Sequence, residues 1–340
     1  MVNCGRYCFG GTHPHISERY VIRLLCTSAR GRSQGGCYAE AKAVVTVVHE
    51  DGSPVVGAEV RGTFPEVDTR NVKYFRRVNV QTDANGQATL QSVCGGAALM
   101  AVRKEGCYPS REVIRFDRNE PSCLKDGRWL PWGYPCKIVL KPKMFPRKLI
   151  SSAALNRADV LFPKGLGERV GFDLEQCDWV APHGKGVVTD FLVSCRWRTE
   201  GLPEGIERRR EVVFEFPHEK DGAYRAPLST QSYLQTPHKA DVNASYEKRF
   251  LFWSDVSFSP AAKADNLNVE CLMLRTRTVC DVSGNIISAH YTKLTNPPVI
   301  YLHEENEVSL SYYYNPTPND PWLESDFDAK PKLLRGAKLW

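Results

Sequence analysis

The densest group of chemically capable side chains in this 340-residue chain is Gly171-Phe-Asp-Leu-Glu-Gln-Cys-Asp-Trp-Val-Ala-Pro-His-Gly-Lys-Gly186, with Thr189-Asp190 just beyond it. It brings the carboxylates of Asp173, Asp178 and Asp190 into one short stretch and sets Trp179, His183 and Lys185 between them. Carboxylates so close can hold Ca²⁺, a hard cation that takes oxygen ligands from loops of this kind. They can also divide acid and base roles in the hydrolysis of a polysaccharide. The plainer reading has the Asp side chains capping turns and Trp179 plugging one end of a β-sandwich. No EF-hand spacing and no Gly-x-Ser-x-Gly elbow is present, and His183 has no nucleophile beside it. The expected metal ligands are therefore Asp173, Asp178 and Asp190 for calcium, and no other cofactor is implied.

A second group is aromatic. Tyr301, Tyr312, Tyr313, Tyr314 and Trp322, with Trp253 upstream, would suit a platform for sugar rings, because aromatic faces offer flat apolar surface with polar rims. Trp253 and Tyr313 are the two rings expected to carry it. Tyr also favours strands, so half of these rings should face a core in any case.

The elements that must position these groups read as strands. Residues 44–48, 59–64, 77–81, 87–91, 97–103 and 137–140 are short runs rich in strand formers and separated by turn residues. Lys141-Pro-Lys-Met-Phe-Pro146 then breaks the ladder, which places a domain boundary there. A short helix is expected over 150–160, capped by Ser151 or Ser152. Strands follow at 170–174, 187–197, 211–216, 248–253, 269–279, 286–292, 299–303 and 307–314. The fold class is all-β: a transthyretin-like or Ig-like sandwich at 43–141 and a larger jelly-roll-like sandwich at 150–320. Residues 1–42 read as a leader the folded protein does not need, and 321–340 as an extended tail.

Composition narrows the function classes. An apolar fraction of 42% and a charged fraction of 25% are those of a globular protein, which excludes wholesale disorder. The net charge of +6 is concentrated at the start, where residues 1–42 hold six Lys or Arg against two acids, leaving +2 for the rest. Nucleic acid is therefore not an expected partner, since binding it calls for a concentrated basic stripe. Arg196 with Arg198, and Arg275 with Arg277, are spaced to share one strand face and read as solvated. No apolar run is long enough to span a membrane as a helix. Twelve cysteines without a C-x-x-C pair leave two readings open, a disulfide framework or a set of buried thiols. In the first reading Cys94, Cys107, Cys123 and Cys136 staple the Trp- and Pro-rich excursion at 118–136.

Gly52-Ser-Pro-Val-Val-Gly-Ala-Glu-Val60, Thr82-Asp-Ala-Asn-Gly-Gln-Ala-Thr-Leu90 and Val102-Arg-Lys-Glu-Gly-Cys-Tyr108 together resemble the carboxypeptidase regulatory-like, transthyretin-like β-sandwich superfamily. That resemblance implies a noncatalytic module of an exported bacterial protein, a stalk, spacer or adhesive unit, and carries no catalytic residues with it. The second half is similar to uncharacterised exported proteins of the verrucomicrobial type. The residues that carry this are Gly171-Phe-Asp-Leu174, Asp178-Trp-Val-Ala-Pro-His-Gly-Lys-Gly186 and Tyr314-Asn-Pro-Thr-Pro-Asn-Asp320. The combined expectation is a periplasmic or cell-surface protein, more a binder or scaffold than an enzyme, whose partner is a glycan or an envelope protein. The alternatives are a polysaccharide hydrolase using Asp173, Asp178 and Asp190, and a calcium-stabilised interaction module.

Overall fold

A computed structural model describes residues 38–67, 73–116, 123–152, 159–161, 168–202, 208–256, 270–295 and 307–325. The expected strand at 299–303, Tyr301, most of the leader and the tail beyond 325 lie outside them. Among the described residues the chain is all-β, built as sandwiches, and no helix is long and apolar enough to cross a membrane. It divides into two compact units. The first takes the described residues up to Lys143 together with Ser229–Gln235, and the second takes Met144–Leu228 and the chain from Thr236 onward.

The first unit contains β1 (Ala39–His49), β2 (Glu59–Val67), β3 (Lys73–Gln81), β4 (Gln87–Cys94), β5 (Ala97–Arg103), β6 (Ser110–Arg115), β7 (Leu124–Lys125), β8 (Arg128–Trp129) and β9 (Tyr134–Leu140). In β1 every second residue from Ala39 to Val47 is buried, as one inward face of a strand requires. β1 pairs antiparallel with β4 and, on its other edge, parallel with β9. The second sheet runs β3-β2-β5-β6. Val45, Val60, Leu90, Met100, Ile114 and Ile138 meet in one core between them. Ser229–Gln235 lies along β6: the Arg111 amide donates to the Gln231 carbonyl at 2.9 Å, and the Tyr233 amide to the Pro109 carbonyl at 2.9 Å. The Gln231 side chain accepts from the Val139 amide at 3.1 Å and donates to the Lys137 carbonyl at 2.9 Å and the Glu112 carboxylate at 2.8 Å.

The second unit holds β10 (Ile150–Ser151), β11 (Asp159–Leu161), β12 (Val170–Asp173), β13 (Asp178–Trp179), β14 (Phe191–Arg198), β15 (Arg208–Glu215), β16 (Gly222–Pro227), β17 (Arg249–Val256), β18 (Glu270–Cys280), β19 (Ile286–Leu294), β20 (Glu307–Ser309) and β21 (Tyr312–Asn315). One sheet runs β13-β12-β14-β15-β17, another β10-β21-β19-β18-β16. Phe172, Phe191, Phe214 and Phe252 from the first meet Leu272, Leu274, Tyr312 and Tyr314 from the second in a shared core. The far face of the second sheet is buried too, since Cys271, Met273 and Tyr291 pack with Ala240 and Leu323.

Four expectations change. Ala39 to Lys42 are not leader but the start of β1, paired with β4 and half of them buried. The helix expected over 150–160 is strand at both ends, where Ile150–Ser151 pair with β21 and Asp159–Leu161 with β20. Pairing across the fold satisfies those backbone groups and outweighs local helix propensity; 153–158 lie outside the described residues. The eight described cysteines form no disulfide with one another, and seven of them are wholly or partly buried. Burial pushes the Cys136 thiol up to about 12, which leaves it a small inert hydrophobe rather than a nucleophile. The excursion needs no staple because Trp129 anchors it, buried in the core with its indole N–H donating to the Cys94 carbonyl at 2.9 Å. Lastly, the first residues assigned to the tail are seated in the second unit, where Leu323 and Glu324 are fully buried and Glu324 accepts from the Met144 amide at 3.0 Å.

Candidate functional site

β12 ends on Asp173, and a tight turn through Cys177, at φ +51°, returns the chain along β13. Phe172 and Trp179 face each other in that pairing and pack edge to face, with ring centroids 5.2 Å apart. Trp179 is thereby a core plug. The following loop folds back so tightly that a Cβ on Gly184 would lie 2.4 Å from the Trp179 carbonyl oxygen, and one on Gly186 2.9 Å from it. These two glycines allow the loop to deliver its amides to the carboxylates.

Asp173 is buried and accepts four backbone amides: Glu175 at 3.0 Å and Gln176 at 3.1 Å on Oδ1, Val187 at 2.9 Å and Val188 at 3.0 Å on Oδ2. Asp190 is fully buried and accepts the Leu174 amide on Oδ2 at 2.8 Å. Between the two lies Arg277. Its Nη2 donates to Asp173 Oδ1 at 2.8 Å and Asp190 Oδ2 at 3.0 Å, its Nε donates to Asp190 Oδ1 at 2.9 Å, and its Nη1 pairs with Glu175. Arg277 itself sits at φ +54° beside a register irregularity in β18, where the Asp221 carboxylate takes the amides of Arg277 at 3.1 Å and Thr278 at 3.0 Å. The Tyr314 ring lies under the guanidinium at 5.2 Å, and the Tyr312 hydroxyl donates to the Leu174 carbonyl at 2.7 Å.

Sequence reasoning placed Arg277 on a solvated face, and that is corrected: its side chain is 16% exposed and is the centre of the cluster. Asp173 and Asp190 are brought together as expected, but by a guanidinium. Asp178 stands apart, accepting the Trp179 amide at 2.9 Å and the Lys185 amide at 3.1 Å. Lys185 is exposed, and the His183 amide closes a turn onto the Val180 carbonyl at 3.1 Å. Among the described residues no three His, Cys, Asp or Glu side chains converge as a cation cage.

The aromatic group is divided by burial. Tyr312, Tyr313 and Tyr314 are buried, so the expected stacking role of Tyr313 has no exposed face to work with. The physical reason is that β21 is paired on both edges and buried at all of its positions. Trp253 is half-buried on the outward face of β17, with the Arg209 guanidinium 3.8 Å from its ring centroid. On that same face Arg196 and Arg198 do share Glu211, at 2.6 and 3.7 Å.

Burial would raise the Asp173 carboxyl, but the amides of Val187, Val188 and Gln176 and the Arg277 charge outweigh it and hold it below its ordinary value of 3.8. For Asp190 burial wins and the carboxyl is pushed up, despite the bonds from Arg277. Arg277 goes up as well: burial opposes its charge, and Asp190 and Asp173 more than restore it. The sign for stability follows from Asp173. A carboxyl depressed in the fold contributes stability that is complete above its unfolded value of 3.8 and is lost as the pH falls through the lower folded value. Asp190 contributes with the opposite sign. Melting temperature is thus expected to fall on acidification below about pH 4, and less steeply in Asp173→Asn. Parallel pH profiles for the two proteins would exclude Asp173 as the titrating group.

Comparison with known proteins adds little to this geometry. No family model matches the chain, and no curated protein does. Among solved structures, a 3-chlorocatechol 1,2-dioxygenase from Rhodococcus opacus aligns over 32% of this chain and 62% of its own, at 12% identity and a TM-score of 0.26. The chain thus spans less than two thirds of that enzyme. A DUF3823 family protein from Parabacteroides merdae aligns over 70% of this chain and 90% of its own, at 10% identity and a TM-score of 0.18. At such scores neither likeness speaks to activity.

Proposed function

We propose that the protein is a noncatalytic binding or scaffolding component of the bacterial cell envelope, exported, with a glycan as its ligand. The observation that carries this is the state of the carboxylates. Asp173 and Asp190 are tied to five backbone amides and one guanidinium, an arrangement that braces a loop and offers a substrate no proton donor or nucleophile. A glycosidase needs two carboxyl groups facing a sugar across an open cleft. The resemblance of the first unit to carboxypeptidase regulatory-like modules supports the same reading, because such modules serve as stalks and adhesive units. Trp253 and Trp322 are the described rings from the original aromatic group that keep some surface exposure; Arg209 braces Trp253, while Trp322 packs against Phe145 and under Lys239.

A glycan array probed with the full chain tests the ligand class, and Trp253→Ala is expected to weaken any neutral-glycan signal by about 1–2 kcal/mol, the worth of an aromatic contact with its cation–π partner. Fractionation of the producing cell tests the compartment. Release of reducing ends from a polysaccharide, abolished by Asp190→Asn, would establish the hydrolase instead.

A further inference from the structure

The outward face of the β3-β2-β5-β6 sheet takes no part in anything described above. Its in-register rows are Gln81, Glu59 and Arg103; then Asn79, Arg61, Ala101 and Arg111; then Arg77, Thr63, Leu99 and Val113; beyond them Phe75 pairs with Pro65, and Ala97 with Arg115. Residues of one row point the same way, and alternate rows of a strand share a face. Five arginines therefore stand in these rows with one acid, Glu59, whose carboxylate lies 3.7 Å from Arg61 across a partly exposed gap. In the middle, Ala97 and Leu99 are buried with Val113 in a small apolar cluster. Outward apolar residues stay dry only under cover, and long arginine stems can supply it while their heads remain in water.

Ala101 ends at Cβ between Arg61 and Arg111, and a hollow opens there, lined by Glu59, Arg61, Leu99, Arg103, Arg111 and Tyr233 among others. Tyr233 comes from Ser229–Gln235, is 42% exposed, and has the Arg111 guanidinium 5.4 Å from its ring centroid. The hollow thus joins a cationic rim to a flat aromatic wall and an apolar floor.

We propose that this face binds a uronic-acid residue of an acidic polysaccharide, with only the carboxylate entering the small hollow and the ring lying across its mouth. The carboxylate meets Arg61 and Arg103, charge-assisted donors suited to it, and the C–H face of the sugar lies against Tyr233. An acidic peptide is the less favoured occupant of the hollow, because it would gain most by adding to a free sheet edge, and on β6, the edge beside the hollow, the Arg111 amide and the Pro109 carbonyl are already bonded to Gln231 and Tyr233. The proposal rests on the glycan reading above but places the ligand in the first unit, away from Trp253.

The test titrates the full chain with a short oligogalacturonate, its methyl ester and polyglutamate, over a range of salt. Oligogalacturonate is expected to bind, the methyl ester about tenfold or more weaker, since a charge-assisted hydrogen bond is lost. Arg61→Gln with Arg103→Gln should cost about tenfold or more and flatten the salt dependence, with folding checked by circular dichroism. Tyr233→Ala should weaken binding and Tyr233→Phe should not. Equal affinity for acid and ester, polyglutamate binding as tightly, or an unchanged double variant would each overturn the site. Binding of neutral glycans that depends on Trp253 alone would leave the broader reading intact while this one fails. Arg61-dependent oligogalacturonate binding by a protein absent from the envelope would do the reverse.

Discussion

Arg277→Met should destabilise the second unit by about 3–5 kcal/mol, the usual cost of removing one partner from a buried ion cluster. Met fills a similar volume, so the loss is electrostatic: Asp190 is fully buried and Asp173 nearly so, and without the guanidinium each must either hold an uncompensated charge or take up a proton. Hydrogen exchange at the Leu174, Val187 and Val188 amides reads this directly, because those amides donate to the two carboxylates. Their exchange should quicken by about two to three orders of magnitude. Arg277→Lys should recover little of it, since a single ammonium cannot reproduce a fork that engages Asp173, Glu175 and Asp190 together. Adding Asp190→Asn to the Met variant should restore stability in part by removing the orphaned charge. Exchange rates unchanged in Arg277→Met would show that the backbone amides alone hold the loop.

The second large effect is expected at Gly86→Val, in the first unit. Gly86 is at φ +71°, where a β-branched residue is strained, and even a Cβ there would lie 2.5 Å from the Val47 carbonyl oxygen and 3.1 Å from the Val55 nitrogen. Both neighbours are backbone, so neither can swing aside. Gly86 also accepts the Val47 amide at 2.8 Å, which ties the β3–β4 turn to β1. Overpacking and a disfavoured dihedral together should cost about 2–4 kcal/mol, seen as a lower urea midpoint for the first unit. Gly52→Ala is the control: it shares a positive φ, but a Cβ there meets nothing within 4 Å, so its loss should be the dihedral cost alone, about 1–2 kcal/mol.

These two sites mark what the sequence can and cannot disclose. Gly86 was legible because a turn is local: Asp83 takes the amides of Asn85 at 2.9 Å and Gln87 at 2.8 Å, and the residue types announce it. β5 was legible to the residue, since an apolar run lies between a Gly pair and a charged loop. β6 escaped because Ser110-Arg-Glu-Val-Ile-Arg115 carries three charges in six positions and looks like a surface loop. β16 escaped because it is an edge strand begun by Gly and ended by Pro, residues that read as turn signals. Arg277 was beyond reach for a different reason. Its partners Asp190 and Asp173 are 87 and 104 positions away, and no periodicity within β18 distinguishes an arginine that meets them from one that meets water. The carboxylates were found as a group, but the guanidinium between Asp173 and Asp190 was not foreseen, because residue types alone do not say which distant side chain meets them.

Ser229–Gln235 makes the first unit discontinuous: the polypeptide leaves it after Lys143 and comes back for seven residues. A fragment cut at Lys143 would therefore not be a smaller version of the same object. It would bare the Val139 and Arg111 amides that Gln231 now satisfies and turn β6 into an open edge, the template on which sheets aggregate. The halves of this chain cannot be shuffled as independent cassettes, and any scheme that grafts the first sandwich onto another protein has to carry a splint corresponding to Gln231 and Tyr233 along with it.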